Sequence, residues 1–534
     1  MIVSKRKWIG DPTTSFRIFN STAKRRDDEV ATERGGGVNF SDFKNNAAIL
    51  IVIGLAAFMF FFRLGDRSFR NPDEGRYAEI AREMVQSGDW ITPRLYGVSY
   101  LRKPILFYWL VAGSFKFLGF SEFAARAVPG AFGFLSVLAA YFFVRRILGI
   151  KPAFFSALLL ASNFWFIQVG RYLLIDMVFT FFLVMAFYFF YLGSEEEKNT
   201  KNYFFIFFAC LALAFLTKGL AALALTAVAA FSYLCLTGRF RKVFFRIPWF
   251  WGLALFLTLA LPWFAVISRR QPHFLSFFFL HEHLKRFVSV DFEHQAGWYY
   301  YLAALPIFFI PWIFFWPPLK KGFEFLKSPA QDRPRLFLFV SGVVTILFYS
   351  VSKTKLPTYI LPAVVFFAIL IADGWSRWQS PKAGALFYSI TAALCAISLA
   401  ITFVMERVNG EYSNKAFAQS LNERLRFPGQ EKVYIYDHPG PFYDFQFYLK
   451  HPVKLVGLAG ELELSKEDPD ASKAFITYEQ FKESLKTDQK VYCLMRKSDY
   501  LGMDEGDRGW VRVLKEDKRK VLIVNQPVQL GGVQ

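Results

Sequence analysis

The amino-acid sequence predicts a mainly α, polytopic helical membrane protein with a small soluble α/β domain at its C-terminal end. Three observations lead there. Of the 534 residues 54% are hydrophobic, and the 66 Phe outnumber the 63 Lys plus Arg. Apolar runs long enough to cross a bilayer recur between residues 46 and 405, and this pattern stops abruptly in residues 406–534. Such a composition excludes a disordered chain and argues against an ordinary soluble enzyme. The formal charge of +20 would suggest nucleic acid in a soluble protein. Here residues 406–534 carry 20 basic and 20 acidic groups, so the whole excess belongs to the membrane part, where loop charge sets topology. The reading therefore includes a lipid bilayer and no nucleic-acid partner.

Residues 1–45 form a basic segment (Lys5, Arg6, Lys7, Lys24, Arg25, Arg26), expected on the cytoplasmic side. The apolar run 47–62 follows with no small-residue cleavage site, which predicts an uncleaved signal anchor. Further candidate spans lie at 126–147, 153–170, 174–193, 203–218, 219–237, 248–267, 298–317, 335–351, 357–372 and 383–404. The total is about 11–13 transmembrane helices, each needing roughly 17 to 25 mostly apolar residues. The stretch 104–117 is short, contains Lys116 and follows a polar loop, so it reads as an interfacial helix. With the N-terminus inside, Arg145/Arg146, Arg239/Arg241/Lys242 and Lys320/Lys321 all fall in cytoplasmic loops. Loops 64–125 and 268–297 and the tail 406–534 then lie outside. In that tail, apolar segments at 433–436, 454–456, 474–477, 491–494 and 521–524 read as strands and 478–485 as a helix. Asp437-His438-Pro439-Gly440, just after the first of these strands, reads as a strand-ending turn. The four cysteines form no CxxC pair and no disulfide framework can be read from them.

Ionisable residues converge on the outer face. Loop 64–125 contains Asp73 and Glu74 at the start of an amphipathic helix and ends in Tyr100-Leu101-Arg102-Lys103-Pro104. Asp73 could equally cap that helix. Asp176 sits near the outer mouth of one span, Lys218 interrupts an apolar run, and Lys353 and Lys355 flank the turn before Tyr359. A charge at a helix centre costs on the order of 2.5 to 3.5 kcal/mol, so these residues mark function or the membrane interface. Loop 268–297 adds His281, Glu282, His283, Asp291, Glu293 and His294, donor types that suit a divalent metal, without a fixed ligand spacing. Carboxylates can orient or deprotonate a nucleophile, and Lys, Arg and Tyr can hold a departing phosphate. Over an apolar groove, that set suits group transfer from a lipid phosphate.

At these residues the chain resembles the bacterial aminoarabinose transferase family, which moves 4-amino-4-deoxy-L-arabinose from undecaprenyl phosphate to lipid A. More broadly it is similar to the GT-C group that includes protein O-mannosyltransferases. The resemblance runs through Pro72-Asp73-Glu74, Arg76 to Ile80, Ser87 to Ile91, Lys103-Pro104, Thr217-Lys218-Gly219, Leu261-Pro262-Trp263, His281 to Phe287, Trp298-Tyr299-Tyr300 and Lys355 to Leu361. The soluble tail matches in type and position only. The resemblance implies that Asp73 is the principal catalytic carboxylate and Asp176 the second acid of the cavity. It implies that Tyr100, Lys103 and Tyr359 contact the carrier phosphate; beside these, Glu74 and the charges Lys218, Lys353 and Lys355 read above are further cavity candidates. It also implies a divalent metal cation as a candidate cofactor, with Glu282 and His283 as its ligands. The family has Glu before the Lys-Pro pair, where it helps bind a divalent cation, whereas this chain has Arg102. Either the metal shifts toward Asp73, Glu282 and His283, or Arg102 supplies the charge itself and joins Lys103 on the phosphate, the reading favoured here.

The implied reaction is attack on the anomeric carbon of a polyprenyl-phosphate sugar by lipid A or another envelope acceptor, at the periplasmic face of a bacterial inner membrane. Two other readings stay open. One is a protein O-mannosyltransferase-like enzyme with another acceptor. The other is a lipid or sugar transporter, against which stand the absence of a convincing internal repeat and the gathering of charge at one lip.

Overall fold

The computed structural model describes residues 40–285, 295–425, 431–449, 451–457, 462 and 471–526. The basic N-terminal segment, the stretch Arg286–Phe287 and the metal candidates Asp291, Glu293 and His294 lie outside the described residues. The chain forms two units, Met1–Ile51 and Val52–Gln534. In the first, the described residues are the opening turns of the helix Phe40–Phe61. The second holds all the other described elements.

Among the described residues, seven helices are long and apolar enough to cross a membrane: Glu122–Ile147, Ile175–Glu195, Thr200–Lys218, Trp249–Arg270, Arg333–Val351, Pro357–Arg377 and Ala383–Tyr412. The pair Ile150–Ser162 and Phe164–Arg171 adds an eighth if counted as one span, although it bends by 59°. Asn163 makes that break, its side chain accepting the Phe166 N–H at 2.9 Å as a helix cap. Shorter apolar helices at Ala47–Phe61, Leu106–Leu118 and Leu220–Leu236 correspond to the predicted segments 47–62, 104–117 and 219–237. The multi-pass membrane character is also visible on the outside of the helices. On Trp249–Arg270, Phe250 and Trp251 are 75% and 66% exposed, a surface that only lipid would cover favourably.

Besides 153–170, which breaks at Asn163, a second predicted span is not a single helix. Residues 298–317 divide into Tyr300–Phe308, the short 3-10 turn Trp312–Phe314 and the start of Trp316–Gly322. Pro306, Pro311 and Pro317 lie in this stretch and Pro318 follows it, and each removes a backbone donor that a continuous helix needs.

The first long loop folds back on the helices. The helix Asp73–Ser87 ends at Gly88, whose φ of 71° is the left-handed conformation that terminates helices. A two-residue hairpin then pairs β1 (Arg94–Leu95) with β2 (Val98–Ser99) through Tyr96 and Gly97, both at positive φ. After Ala383–Tyr412 the chain builds a six-stranded sheet from β3 (Lys432–Tyr436), β4 (Lys454–Val456), β5 (Phe475–Ile476), β6 (Val491–Arg496), β7 (Val511–Glu516) and β8 (Lys520–Asn525). Its order is β5-β4-β3-β6-β8-β7, with β5, β4, β3 and β6 parallel and β8 and β7 antiparallel. The helix Tyr478–Leu485 opens with a Thr477/Gln480 capping box and packs Phe481 and Leu485 on the sheet core of Val491, Cys493, Val521 and Ile523.

Candidate active site

A cavity of about 440 Å³ opens where the first loop meets the ends of the apolar helices. Asp73, Tyr100, Arg102, Lys103, Asp176, Lys218, Glu282 and Tyr359 all line it. These residues come from segments up to 286 positions apart, and the fold brings them to one wall.

Asp73 opens the helix Asp73–Ser87 from its first turn, where a carboxylate is favoured by the helix dipole. It is not the N-cap: Pro72 holds that position, with no side-chain cap bond. The Asp73 carboxylate instead accepts from Arg76, one turn on, with the Asp73 side chain 47% and the Arg76 side chain 8% exposed. The Arg76 guanidinium also lies 5.7 Å from the centre of the Tyr100 ring.

Asp176 and Lys218 meet for a related reason. Asp176 sits in the first turn of Ile175–Glu195 and Lys218 is the last residue of Thr200–Lys218, so each charge complements its own helix end. Gly219, at φ 69° and ψ −139°, stops the second helix there. The two ends converge, and Lys218 Nζ donates to Asp176 Oδ1 at 2.6 Å. The same ammonium stands 4.7 Å from the centre of the Tyr359 ring, a cation–π contact that ties the third wall of the cavity to the pair.

The hairpin sets the position of Tyr100, Arg102 and Lys103. Glu83 accepts the backbone N–H of Tyr96 at 2.7 Å and of Gly97 at 3.0 Å, so the turn is fixed to the helix below it. Burial, together with the nearby Glu79 carboxylate, pushes the Glu83 carboxyl up to about 8. Arg102 Nη1 in turn donates to Glu282 Oε1 at 3.2 Å, and Glu282 is nearly inaccessible.

This pair bears on the metal. Among the described residues, no group of three His, Cys, Asp or Glu side chains is placed to hold an ion. The carboxylate expected to bind a cation faces a guanidinium, with His281 Nδ1 3.6 Å away. A divalent ion at Glu282 would meet the fixed positive charge of Arg102, so the described donors do not fit one. The His283 side chain lies outside the described residues.

Three predicted cavity residues stand elsewhere. Glu74 turns away from Asp73 into the protein, where it accepts from Arg126 at 2.7 and 2.9 Å and from the Leu173 N–H at 2.9 Å. Burial would raise its carboxyl, but Arg126, Arg67 and the Leu173 N–H together hold it below its ordinary value. Lys355 is buried and bonds backbone carbonyls, those of Ala296 at 3.0 Å and of Ser352. Lys353 points out and is exposed. Conversely, Arg76 is a cavity residue that the sequence reading passed over. Its spacing of three from Asp73 on one helix face was the available signal.

The fold and the cavity thus define a class: a multi-pass membrane protein with a charged mouth above an apolar interior, and an α/β sheet appended outside the helical part. The family described as dolichyl-phosphate-mannose-protein mannosyltransferase matches residues 49–278, and the aminoarabinose transferase C-terminal domain matches 432–525. An undecaprenyl phosphate-alpha-4-amino-4-deoxy-L-arabinose arabinosyl transferase of Edwardsiella ictaluri is 34% identical over 60% of this chain and 58% of its own length. One of Shewanella sediminis is 30% identical over 68% of this chain and 67% of its own length. The chain belongs to this arabinosyl transferase family, and aligns with less than two thirds of the Edwardsiella relative. Its fold is also that of ArnT from Cupriavidus metallidurans bound to undecaprenyl phosphate, with a TM-score of 0.78 at 23% identity over 91% of this chain and 99% of the other.

Proposed function

We propose that the protein is an integral membrane glycosyltransferase that moves 4-amino-4-deoxy-L-arabinose from an undecaprenyl-phosphate donor to lipid A. The observation that carries this is the convergence of Asp73, Tyr100, Arg102, Lys103, Asp176, Lys218 and Tyr359 on one cavity in a chain whose relatives bear that transferase name. Lys103 and Arg102 stabilise the departing carrier phosphate, and Tyr100 and Tyr359 orient it. Lys218 is neutralised by Asp176 and lines the site beside Tyr359. Asp73, steered by Arg76, orients the sugar or the acceptor, and acts as general base if the acceptor is a hydroxyl. The acceptor oxygen attacks the anomeric carbon, the bond to the carrier phosphate breaks, and undecaprenyl phosphate leaves.

The proposed setting is the bacterial inner membrane, with the N-terminus cytoplasmic and the cavity and residues 406–534 periplasmic. The support is the Lys/Arg bias of the intervening loops. The helix Leu106–Leu118, with 13 residues, is shorter than the hydrocarbon core requires and is placed at the interface.

Reconstituted with the lipid-linked sugar, Asp73→Asn is expected to fold, insert and lose transfer. Transfer unchanged by that substitution would overturn the assignment. The match of residues 49–278 to the mannosyltransferase family favours one second reading, the same chemistry on another acceptor. Mass spectrometry of lipid A and envelope glycans with and without the protein separates the two, since donor sugar and acceptor appear in one mass difference.

A further inference from the structure

A second, larger cavity of about 840 Å³ lies between the sheet and the first outer loop. Its place follows from the sheet topology. The chain runs from β3 to β4 and β5 on one side, then crosses back to lay β6 on the other side of β3. The direction of winding therefore reverses between β3 and β6, and in open α/β sheets such a reversal leaves a crevice outside the carboxyl ends of the strands where ligands bind. Residues 438–441, after β3, and Arg496, Lys497 and Ser498, at the end of β6, line the cavity at that point. The register of β6 with β8 pairs Arg496 with Lys520, which brings the turn carrying Lys518 and Arg519 to the same edge.

The lining is cationic. Arg496, Lys497, Lys518, Arg519 and Lys520 face the single carboxylate of Glu411. Part of this charge is committed: Arg496 pairs with Asp437 at 3.1 Å and Asp499 at 2.8 Å, Lys497 with Glu516 at 3.0 Å, and the buried Lys520 with Asp517 at 3.7 Å while donating to the Ser413 carbonyl at 2.7 Å. Arg519 instead lies over the Tyr412 ring, 4.5 Å from its centre, and donates to the Tyr412 hydroxyl at 3.4 Å, contacts that position a guanidinium without neutralising it. Planar guanidinium and ammonium groups on one wall match the oxygens of a phosphate monoester.

Depth points to a lipid as the carrier of that phosphate. Glu411 and Tyr412 end the helix Ala383–Tyr412, whose apolar stretch closes near Val404. Seven residues at about 1.5 Å each put the crevice about 10 Å beyond that point, close to the level of head groups. Asn71 and Pro72 line this crevice while Asp73, the next residue, lines the first cavity. We infer that the strand-end crevice is a second binding site, which grips a phosphate monoester on a glycolipid head group and presents that acceptor to the Asp73 cavity. The acceptor role rests on the function proposed above; the binding does not.

The test is therefore a binding measurement on the full chain carrying Asp73→Asn, held in phosphatidylcholine nanodiscs. The probes are a short-chain diacylglucosamine phosphate, its dephosphorylated counterpart, inorganic phosphate and undecaprenyl phosphate. The phosphorylated glycolipid is expected to bind at least tenfold tighter than the dephosphorylated one. Adding Lys518→Glu and Arg519→Glu should erase that preference and leave undecaprenyl phosphate binding intact. Equal binding of the two glycolipids, or a preference that survives the double substitution, overturns the site. Inorganic phosphate binding as tightly as the phosphorylated glycolipid overturns the lipid assignment. If the double variant also loses undecaprenyl phosphate, Lys518→Gln with Arg519→Gln replaces it under the same criteria. Because none of these readouts is turnover, a failed crevice and a failed transferase reading give different results.

Discussion

Arg102 decides how the mouth of the cavity handles negative charge. Its guanidinium stands 3.2 Å from the Glu282 carboxylate and shares the cavity wall with Lys103. Under the proposed function, a permanently charged side chain there would supply what a divalent ion would otherwise bring to a departing phosphate. Transfer is therefore expected to survive EDTA in the native chain. Arg102→Glu would set two carboxylates against each other, and the variant should lose about 100-fold in transfer, in the range found for removing one transition-state donor. Added Mg²⁺ or Mn²⁺ should restore part of it. Loss of native transfer in EDTA would refute the substitution of charge for metal. Glu74 gives the opposite lesson about neighbouring residues. It is adjacent to Asp73 in sequence, yet its side chain is held inside the protein by Arg126 and the Leu173 and Arg70 N–H groups. Arg126→Met strands that carboxylate and should cost about 3–5 kcal/mol, read as a fall in thermal midpoint in detergent.

The hairpin of β1 and β2 shows how one loop is held to one helix, and it makes stability depend on pH. Glu83 lies on the helix Asp73–Ser87, outside the spans, with its carboxyl raised from 4.5 to about 8 by burial and by Glu79. The folded chain then holds this proton more tightly than the unfolded chain does. Stability from this group is full below about 4.5 and falls as pH rises to about 8. The thermal midpoint should drop between about pH 5 and 8, and Glu83→Gln, which stays neutral, should flatten the slope. An unaltered slope would assign the effect to another group. This hairpin was not legible in the sequence. Its turn residues are Tyr96 and Gly97, with Tyr96 at φ 56°, and a tyrosine there gives none of the Asn-Gly or Asp-Gly pattern that announces such turns. The strand β7 was missed for a related reason. Its burial runs from buried at Val511 to exposed at Glu516 with a bulge between Val513 and Lys515, so no clean alternation marks it. By contrast, β4 and the helix Tyr478–Leu485 coincide with the predicted ranges, because short apolar runs and a Thr-x-x-Gln cap are local signals. In the cavity, Asp176 and Lys218 could be singled out because a charge within an apolar run is conspicuous in sequence. Lys355 was equally conspicuous, but its partners are backbone carbonyls, which sequence does not display.

The outer loop, the last long helix and the sheet are joined through one buried carboxylate. Asp444 accepts from Ser413 Oγ at 2.6 Å, the Asn414 N–H at 2.9 Å and Asn414 Nδ2 at 2.6 Å, and from Asn71 of the first loop. Burial pushes its carboxyl up against those donors. The Asp444 N–H returns a bond to Asn71 Oδ1 at 3.1 Å, and a Cβ added at Gly75 would come within 2.6 Å of that nitrogen. Tyr448 extends the seam: its hydroxyl donates to Glu122 at 3.0 Å and accepts from the Phe69 N–H at 3.0 Å. The helix that carries this junction continues to Tyr412, past the 405/406 composition change, so the last span and the sheet share a rigid connection. Asn71 stands two residues before Asp73, which makes the seam a determinant of where the catalytic candidate sits. Asp444→Ala removes the shared acceptor and leaves buried donors without a partner, at about 1–3 kcal/mol for each group stranded. The variant is expected to show a lower thermal midpoint, faster proteolytic release of the sheet, and at least a tenfold loss of transfer with donor binding retained. Gly75→Ala should reproduce the loss of transfer, because it forces the same two surfaces apart without removing a hydrogen-bonding group. Full transfer in both variants, alongside measurable loosening of the sheet, would mean that the seam stabilises the molecule without positioning Asp73.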